Sequence, residues 1–254
     1  ERAVLPSYEM MDGIHVHRFQ TERMLATHLI SMQRHYRFDL VHARGVRYGF
    51  YGRLLSIVSH IPVILELNSV NIQAGFLKSL LWRSVLRSST RLIVLASYAR
   101  EWAIHQHGIP RERIDMVVNG VDLNRFSGTA MDAVETRTQL GLNDAAVVIG
   151  YAGTFLEWQG VLECVRVGAR VLQQLPDARF LMVGAGPDLE KTKQLAIELG
   201  VNDRFVFTGL VPPEEVPRYM RVMDIFLLAR PPDLLKNQLA TPLKLLEAMA
   251  TGSA

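Results

Sequence analysis

The sequence has 254 residues, 49% of them hydrophobic and 21% charged, which is typical of one large or two medium soluble domains. No apolar run reaches about eighteen residues, and the first residues lack the pattern of a secretion signal, so neither a transmembrane helix nor a leader is predicted. The single cysteine, Cys164, excludes an internal disulfide framework and fits a reducing, cytoplasmic compartment.

The net charge of +3 is unevenly distributed along the chain. Residues 1–120 carry a net charge of +6, and residues 121–254 carry a net charge of −3. The first half therefore either faces an anionic partner or simply has a more basic solvated surface, and the sequence leaves both open.

Short apolar runs rich in β-branched residues alternate with longer helical patterns. The predicted strands are 38–43, 62–67, 91–96, 115–119, 146–153, 179–185, 204–209 and 224–229. The predicted helices are 21–35, 46–59, 75–88, 97–107, 160–175, 187–199, 213–222 and 242–251. Most of the strands are apolar on both faces, so the alternation predicts doubly wound parallel sheets of the α/β class.

This rhythm breaks over residues 122–145, a polar segment punctuated by glycine and asparagine. We therefore predict two Rossmann-like domains, 1–127 and 128–254. Ligands of such sheets bind beyond the carboxyl ends of the strands, where the chain has the loops "GTFLEWQG" (153–160) and "GAGP" (184–187).

Several kinds of site are disfavoured by their missing patterns. The glycine loops lack the Gly-Lys-Ser/Thr of a P-loop, the first domain lacks G-x-G-x-x-G, and no G-x-S-x-G is present. The pairs His15/His17 and His105/His107 have no cysteine or carboxylate at ligand spacing, so solvated or strand-face histidines are expected rather than a metal site. No stretch interleaves basic and aromatic residues as nucleic-acid binders do.

Residues 76–92, "FLKSLLWRSVLRSSTRL", combine basic side chains at helical spacing with large apolar ones. Such a helix can lie on an anionic membrane surface, which would put the protein at the inner face of the membrane. The alternative is a helix that packs on the core and has an ordinary basic face.

Five stretches follow one another in an order that resembles a known family. They are "GIPRERIDMVVNGVDLNRF" (108–126), "GYAGTFLEWQGV" (150–161), "LPDARFLMVGAGP" (175–187), "LGVNDRFVFTGLVPPEEVPRYMRVMDIFLL" (199–228) and "PLKLLEAMATG" (242–252). Over about residues 38–252 the sequence resembles the family 4 retaining glycosyltransferases, also called group 1.

The resemblance implies a GT-B fold, in which two Rossmann-like domains form the enzyme and the second binds the donor. It implies the retaining transfer of a sugar from a nucleotide diphosphate donor to a glycan or a lipid-linked acceptor. It also implies that neither a metal nor another cofactor is required.

The resemblance further implies which residues bind the donor. Glu247 would accept hydrogen bonds from the ribose hydroxyls, as a carboxylate can do from both at once. Gly186 and Pro187 would shape the loop near the base, and the backbone of Gly153 and Thr154 would face the diphosphate.

The chain departs from the family pattern at several places. Thr154 and Gln159 occupy positions where an arginine and a lysine usually contact the diphosphate, and neither carries a charge. Lys244 would help in their place, although an exposed ion pair with Glu247 is the alternative role for this lysine. Leu239 replaces a sugar-facing glutamate, and Asn68 replaces a histidine of the first domain.

Relatives extend beyond both ends of this sequence, so the chain is expected to be an interior fragment in which both sheets are incomplete. Because of the departures, a catalytically degenerate nucleotide-binding or partner-binding module stays open as the alternative to an enzyme. A nucleotide-sugar epimerase of the same architecture is a weaker third interpretation.

Overall fold

The structure, a computed structural model, describes residues 6–68, 76–128, 130–142, 147–230 and 242–254. The chain divides into two compact units, Glu1–Val117 and Val118–Ala254. The domain boundary between residues 127 and 128 stays a prediction from the sequence.

The first unit contains a hairpin and a parallel sheet with its helices. Its strands are β1 (Tyr8–Met11), β2 (Ile14–His17), β3 (Val41–Arg44), β4 (Val63–Leu67), β5 (Arg91–Val94) and β6 (Ile114–Met116). Its helices are α1 (Glu22–Tyr36), α2 (Val46–Ser59), α3 (Phe76–Ser88) and α4 (Ser97–His107). Strands β3, β4, β5 and β6 pair in this order, and every pair is parallel.

The hairpin of β1 and β2 was not predicted. Its two-residue turn is Asp12-Gly13, whose φ angles of 49° and 80° are both positive, as the tight turns between antiparallel strands require. His15 lies on β2 and its ring contacts Tyr8, while His17 is hydrogen-bonded to the hydroxyl of Tyr36. Both histidines thus have aromatic partners on or beside the hairpin.

The second unit contains the other parallel sheet. Its strands are β7 (Val148–Ala152), β8 (Arg179–Val183), β9 (Phe205–Gly209) and β10 (Ile225–Phe226), and they lie in the order β10-β7-β8-β9. Its helices are α5 (Leu123–Phe126), α6 (Ala130–Gln139), α7 (Val161–Leu172), α8 (Leu189–Glu198), α9 (Val216–Met220) and α10 (Leu243–Thr251). A single 3-10 turn, Glu157–Gln159, precedes α7.

Both faces of the second sheet are buried, because successive residues of β7 belong to different apolar clusters. Ile149 and Tyr151 pack with the residues of α7 and α8, whereas Val148 and Ala152 pack with those of α5, α9 and α10. This arrangement confirms the prediction of a doubly wound α/β fold from strands that are apolar on both sides.

Among the segments that differ from the sequence prediction are two in the second unit. The polar segment 122–145 contains the helices α5 and α6, because Phe126 and Leu142 supply enough buried apolar surface to hold them on the core. The strand predicted over 224–229 is shorter: β10 pairs with β7 through Ile225 and Phe226, and Ala229 then lies against Gly160.

We predict that Gly168→Ala lowers the free energy of unfolding, although alanine is normally favoured over glycine within a helix by about 1 kcal/mol. A Cβ at this position of α7 would lie 2.5 Å from Cζ of Phe205 and 3.2 Å from the ring of Phe180. The overpacking should cost about 1–3 kcal/mol, measurable by urea unfolding.

Gly120→Ala is the matched control in the same unit, since among the described residues no atom beyond those of its chain neighbours lies within 4 Å of the added Cβ, and the φ angle is not positive. It should leave stability unchanged or raise it by less than about 1 kcal/mol. A Gly168→Ala chain as stable as the wild type would contradict the packing of α7 on the sheet.

Candidate functional site

A cavity of about 240 Å³ opens at the carboxyl ends of β7, β8 and β9 in the second unit. It is lined by the loops that follow these strands and by residues of α9 and α10. The lining residues are Ala152, Gly153, Thr154, Val183, Gly184, Ala185, Leu210, Val211, Val216, Lys244 and Glu247. This is the edge at which open parallel sheets bind their ligands.

The loops after β7 and β8 form this part of the cavity because their backbones approach each other closely. Gly153 donates its backbone N–H to the carbonyl of Val183, and Phe155 donates to the carbonyl of Ala185, over 2.9 and 3.0 Å. Gly184 has a φ of 122°, and any Cβ there would collide with the carbonyl oxygen of Gly153. Glycine is therefore required where the two loops meet.

Lys244 lies in the first turn of α10 and points toward β7. Its Nζ is 3.1 Å from Oε1 of Gln159 and 3.3 Å from Oη of Tyr151, and it lies 4.6 Å from the centre of the Tyr151 ring. The Tyr151 hydroxyl donates in turn to the carbonyl of Thr154 at 2.8 Å. The ammonium group is thus held beside the loop after β7 by neutral acceptors.

Arg230 shares the acceptor of Lys244. Its Nη2 donates to the same Oε1 of Gln159 at 3.0 Å, and its guanidinium lies 5.7 Å from the centre of the Trp158 ring. Among the described residues, the buried Nε of Arg230 has no hydrogen-bond partner. Two positive charges therefore converge on one buried carboxamide.

Burial and the neighbouring charge together disfavour protonation of Lys244. Desolvation is the larger cause and the charge of Arg230 is the second, and they lower the pKa of Lys244 from 10.5 to about 8. Burial also lowers the pKa of Arg230 and raises that of Cys164, which lies in α7 behind the site, to about 12. The Cys164 thiol is thus neutral, as expected for a buried structural cysteine.

The residues expected to bind the donor are only partly brought together. Gly153, Thr154, Lys244 and Glu247 line the cavity, and Gln159 is joined to it through the ammonium group of Lys244. Gly186 and Pro187 follow the lining residue Ala185 in the loop after β8. A Cβ on Gly186 would collide with the carbonyl of Phe155, so this glycine also serves the contact between the two loops.

The alternative role for Lys244, an exposed ion pair with Glu247, is wrong. Among the described residues no ion pair within 4.0 Å involves either side chain, because Lys244 is turned toward Tyr151 and Gln159. Leu239 and the predicted helix cap Thr241 lie outside the described residues. Asn68 directly follows β4 in the first unit.

Arg230 is the residue that the sequence motifs missed. Its position in the sequence could have indicated a role in binding, since Arg230 directly follows the predicted strand 224–229 at the sheet edge where ligands bind. Within the described part of the chain, no three or more His, Cys, Asp and Glu side chains form a group that could hold a metal ion.

We predict that Lys244→Met raises the free energy of unfolding at pH 7 by about 1–3 kcal/mol, because it removes a charge that folding desolvates. The lowered pKa means that the unfolded chain binds more protons between about pH 8 and 10.5. The wild type should therefore gain stability relative to the variant as the pH rises through this window.

Urea unfolding of both chains from pH 7 to 10 measures this difference. Lys191→Met, at a lysine whose side chain is 59% exposed, is the control and should leave the pH dependence unchanged. If Lys244→Met were less stable than the wild type at pH 7, or if their difference in free energy of unfolding did not vary with pH, the claim that the Lys244 ammonium group is desolvated would be contradicted.

The two halves of the chain match two family models. The model described as Glycosyltransferase Family 4 matches residues 13–125, and the one described as Glycosyl transferases group 1 matches residues 146–254. Among the curated relatives, 2-deoxystreptamine glucosyltransferase of Streptomyces kanamyceticus is 29% identical over 147 residues, 58% of this chain and 38% of the relative.

Another relative aligns over more of the chain. UDP-Gal:alpha-D-GlcNAc-diphosphoundecaprenol alpha-1,3-galactosyltransferase of Escherichia coli is 23% identical over 226 residues, 85% of this chain and 56% of the relative. The matched part of the chain thus spans 38% and 56% of the length of these two relatives.

Solved structures share the fold at lower identity. Sucrose-phosphate synthase from Thermosynechococcus elongatus aligns with a TM-score of 0.79 at 18% identity, over 99% of this chain and 67% of that one. The Anabaena protein HepE, crystallised with UDP, aligns with a TM-score of 0.77 at 19% identity, over 91% of this chain and 62% of that one. The two parallel sheets, the order of the motifs and both family models agree, and the chain belongs to the group 1, family 4 glycosyltransferases of GT-B fold.

Proposed function

We propose that the protein transfers a sugar, with retention of configuration, from a nucleotide diphosphate donor to a hydroxyl group of a glycan or a lipid-linked acceptor. The observation that carries this proposal is the cavity at the carboxyl edge of the second sheet, where glycine loops, the Glu247 carboxylate and the Lys244 ammonium group meet. HepE, crystallised with UDP and with UDP-glucose, supports a nucleotide sugar as the donor class.

The cavity has a suitable group for each part of such a donor. Glu247 lines it, and its carboxylate has no hydrogen-bond partner among the described side chains, so it is available to two ribose hydroxyls. The backbones of Gly153 and Thr154 face the same space, and the ammonium group of Lys244 lies beside them. The carboxylate of Glu247 thus matches the ribose, and the backbones of Gly153 and Thr154 match the diphosphate. The ammonium group of Lys244 matches the charge of the leaving group.

The chemistry needs this positive charge. During transfer the bond between the sugar C1 and the terminal phosphate oxygen breaks, a bond between C1 and the acceptor oxygen forms, and the proton of the acceptor hydroxyl passes to an oxygen of the departing diphosphate. The departing nucleoside diphosphate keeps the electron pair of the broken bond. Cations fixed beside its phosphates stabilise the charge that develops, without having to rearrange during the reaction.

A catalytically degenerate nucleotide-binding module is the second candidate, and a specific observation favours it. Thr154 and Gln159 are uncharged where the family pattern has an arginine and a lysine, and Leu239 stands where it has a glutamate. Such a module would bind the nucleotide and leave the sugar in place. Release of UDP from UDP-glucose, or of GDP from GDP-mannose, separates an enzyme from a module.

The first unit is proposed to serve the acceptor. A cavity of about 880 Å³ there is lined by Arg44, Arg47, Tyr48 and Trp82, among others. On α3, Leu80 and Leu81 are 48% and 61% exposed, and Leu81 also lines this cavity. Exposed leucines on a helix with basic side chains suit an anionic membrane surface that carries a lipid-linked acceptor. No helix among the described residues is long and apolar enough to span a bilayer.

Thermal unfolding of the chain with UDP, GDP and ADP, and with their sugars, tests the donor proposal. A ligand that binds only the folded state raises the melting temperature, so one nucleotide should give a shift. Glu247→Ala should abolish most of it, because charged hydrogen bonds of about 1.5–3 kcal/mol are lost. Glu190→Ala, at a side chain 82% exposed on α8, is the matched control and should keep the shift.

A cooperative melt with no nucleotide shift would contradict a donor site. A shift without sugar release, in the presence of sugar acceptors, would favour the degenerate module. For an active chain, proton NMR of the product gives the configuration at C1, and an inverted product would refute retention.

Sedimentation with vesicles tests the membrane surface. Binding should rise with the fraction of anionic lipid and fall severalfold in Leu81→Glu, which places a charge at the exposed apolar position. Ile197→Glu, at an exposed apolar residue of the second unit, is the control and should bind like the wild type. Vesicle binding that does not depend on the fraction of anionic lipid, or an equal loss of binding in both variants, would refute the proposed contact.

A further inference from the structure

Arg230 and Lys244 form a pair of cations that has no ion-pair partner among the described residues. Their nitrogen atoms lie 3.0 and 3.1 Å from the same Oε1 of Gln159, so they are at most about 6 Å apart. Gln159 is a neutral residue, only 8% exposed. Among the described residues neither cation forms an ion pair within 4.0 Å.

The pair also has spare hydrogen-bond donors. A guanidinium has five N–H donors, and the buried Nε of Arg230 has no partner in the part of the chain that the structure describes. Lys244 uses two neutral acceptors, Gln159 and Tyr151. Partly buried positive charges normally have anionic partners because desolvation is costly, so this arrangement is suited to an anion with several oxygen atoms.

We propose that Arg230 is a further donor-binding residue that contacts the diphosphate together with Lys244, while Gln159 holds the two cations side by side. This rests on the proposed function, and it names a nucleoside diphosphate as the ligand. The cations missing at Thr154 and Gln159 are then replaced by residues from two other segments, the one after β10 and the first turn of α10.

The position of Arg230 is set by close packing. Gly160 has a φ of 79°, and a Cβ there would collide with the carbonyl oxygen of Ala229. The chain segment before Arg230 therefore lies directly on the start of α7, and the guanidinium reaches Gln159 and the ring of Trp158. Lys244, which lines the cavity, is the second cation on that carboxamide.

Charged and titratable groups reach Lys244 from every element around it. Tyr151 comes from β7, Cys164 from α7, Arg230 from the segment after β10, and Glu247 from α10 itself. Tyr151 and Cys164 are neutral near pH 8, since burial raises the pKa of both. Arg230 is thus the neighbour whose positive charge opposes protonation of Lys244.

A pH dependence follows from this geometry. The pKa of Lys244 is about 8 in the free chain, and a bound diphosphate favours its protonated form. Affinity for a nucleoside diphosphate should therefore fall as the pH rises from 7 to 9. Without Arg230 the ammonium group is easier to protonate, so the fall should move to higher pH.

Isothermal titration of the chain with UDP, GDP and ADP, each beside its nucleoside, tests the inference. For the nucleotide that binds, Arg230→Gln should lower the diphosphate affinity about tenfold or more, as expected for a lost charged hydrogen bond. Affinity for the nucleoside should change less than about twofold. The fall of diphosphate affinity with rising pH should occur at a higher pH. Arg166→Gln, at an exposed arginine of α7 paired with Glu163, is the matched control and should change none of these.

Gln159→Glu provides a second variant that keeps the size of the side chain. A carboxylate between the cations supplies the counter-charge that the diphosphate would otherwise provide. It should weaken diphosphate binding about tenfold, raise the pH at which affinity falls, and leave the melting temperature unchanged or higher.

The possible failures are distinguishable. If no nucleotide binds the wild-type chain, the proposed function and this inference both fall. If a nucleotide binds and depends on Glu247, but Arg230→Gln and Gln159→Glu bind as the wild type does, the inference alone is wrong. Equal losses for nucleoside and diphosphate, with an unmoved pH profile, would give Arg230 a structural role and overturn the proposal.

Discussion

The parallel pairing of β7 with its two neighbours is the constraint on which the second unit depends. Residues of β7 alternate between the two apolar layers, so a one-residue slip in register would exchange the side chains of the two clusters and disrupt the packing of both. The same pairing sends Tyr151 toward α7 and α10 and ends the strand at Ala152, directly before Gly153. The packing of the core and the geometry of the site therefore both depend on the five residues of β7.

The two positive charges of the site lie close together, and their repulsion lowers the stability of the fold. At an effective dielectric constant of about 20, two unit charges about 6 Å apart repel by about 3 kcal/mol. That is a large part of the roughly 5–15 kcal/mol by which domains are stable. Arg230 and Lys244 share one neutral oxygen instead of pairing with carboxylates. A fold that keeps such a strained pair while losing the usual cations at Thr154 and Gln159 is consistent with a function that needs the charge.

The sequence predicted the parts of the fold that follow from periodicity, and missed parts that follow from contacts. Buried parallel strands such as 179–183 and amphipathic helices such as 161–172 have strong local patterns, so they were found nearly in place. The dipeptide Asp12-Gly13 is a clear local signal for the tight turn of the hairpin. Helix α6 could not be predicted, because its polar sequence is helical only through packing of a few residues. Lys244 was singled out, but its partners, Tyr151 and Gln159, lie 93 and 85 residues away in the chain and were visible only in three dimensions.

The central claim is that a nucleoside diphosphate binds at the carboxyl edge of the second sheet, with its phosphates on the two cations. A crystal structure of the chain with the nucleoside diphosphate that gives the largest thermal shift tests this most directly. The account predicts phosphate oxygens within hydrogen-bond distance of Lys244 Nζ and the Arg230 guanidinium, and ribose hydroxyls on the carboxylate of Glu247. A nucleotide bound elsewhere, or a diphosphate held by the glycine loops alone while both cations stay on Gln159, would contradict it.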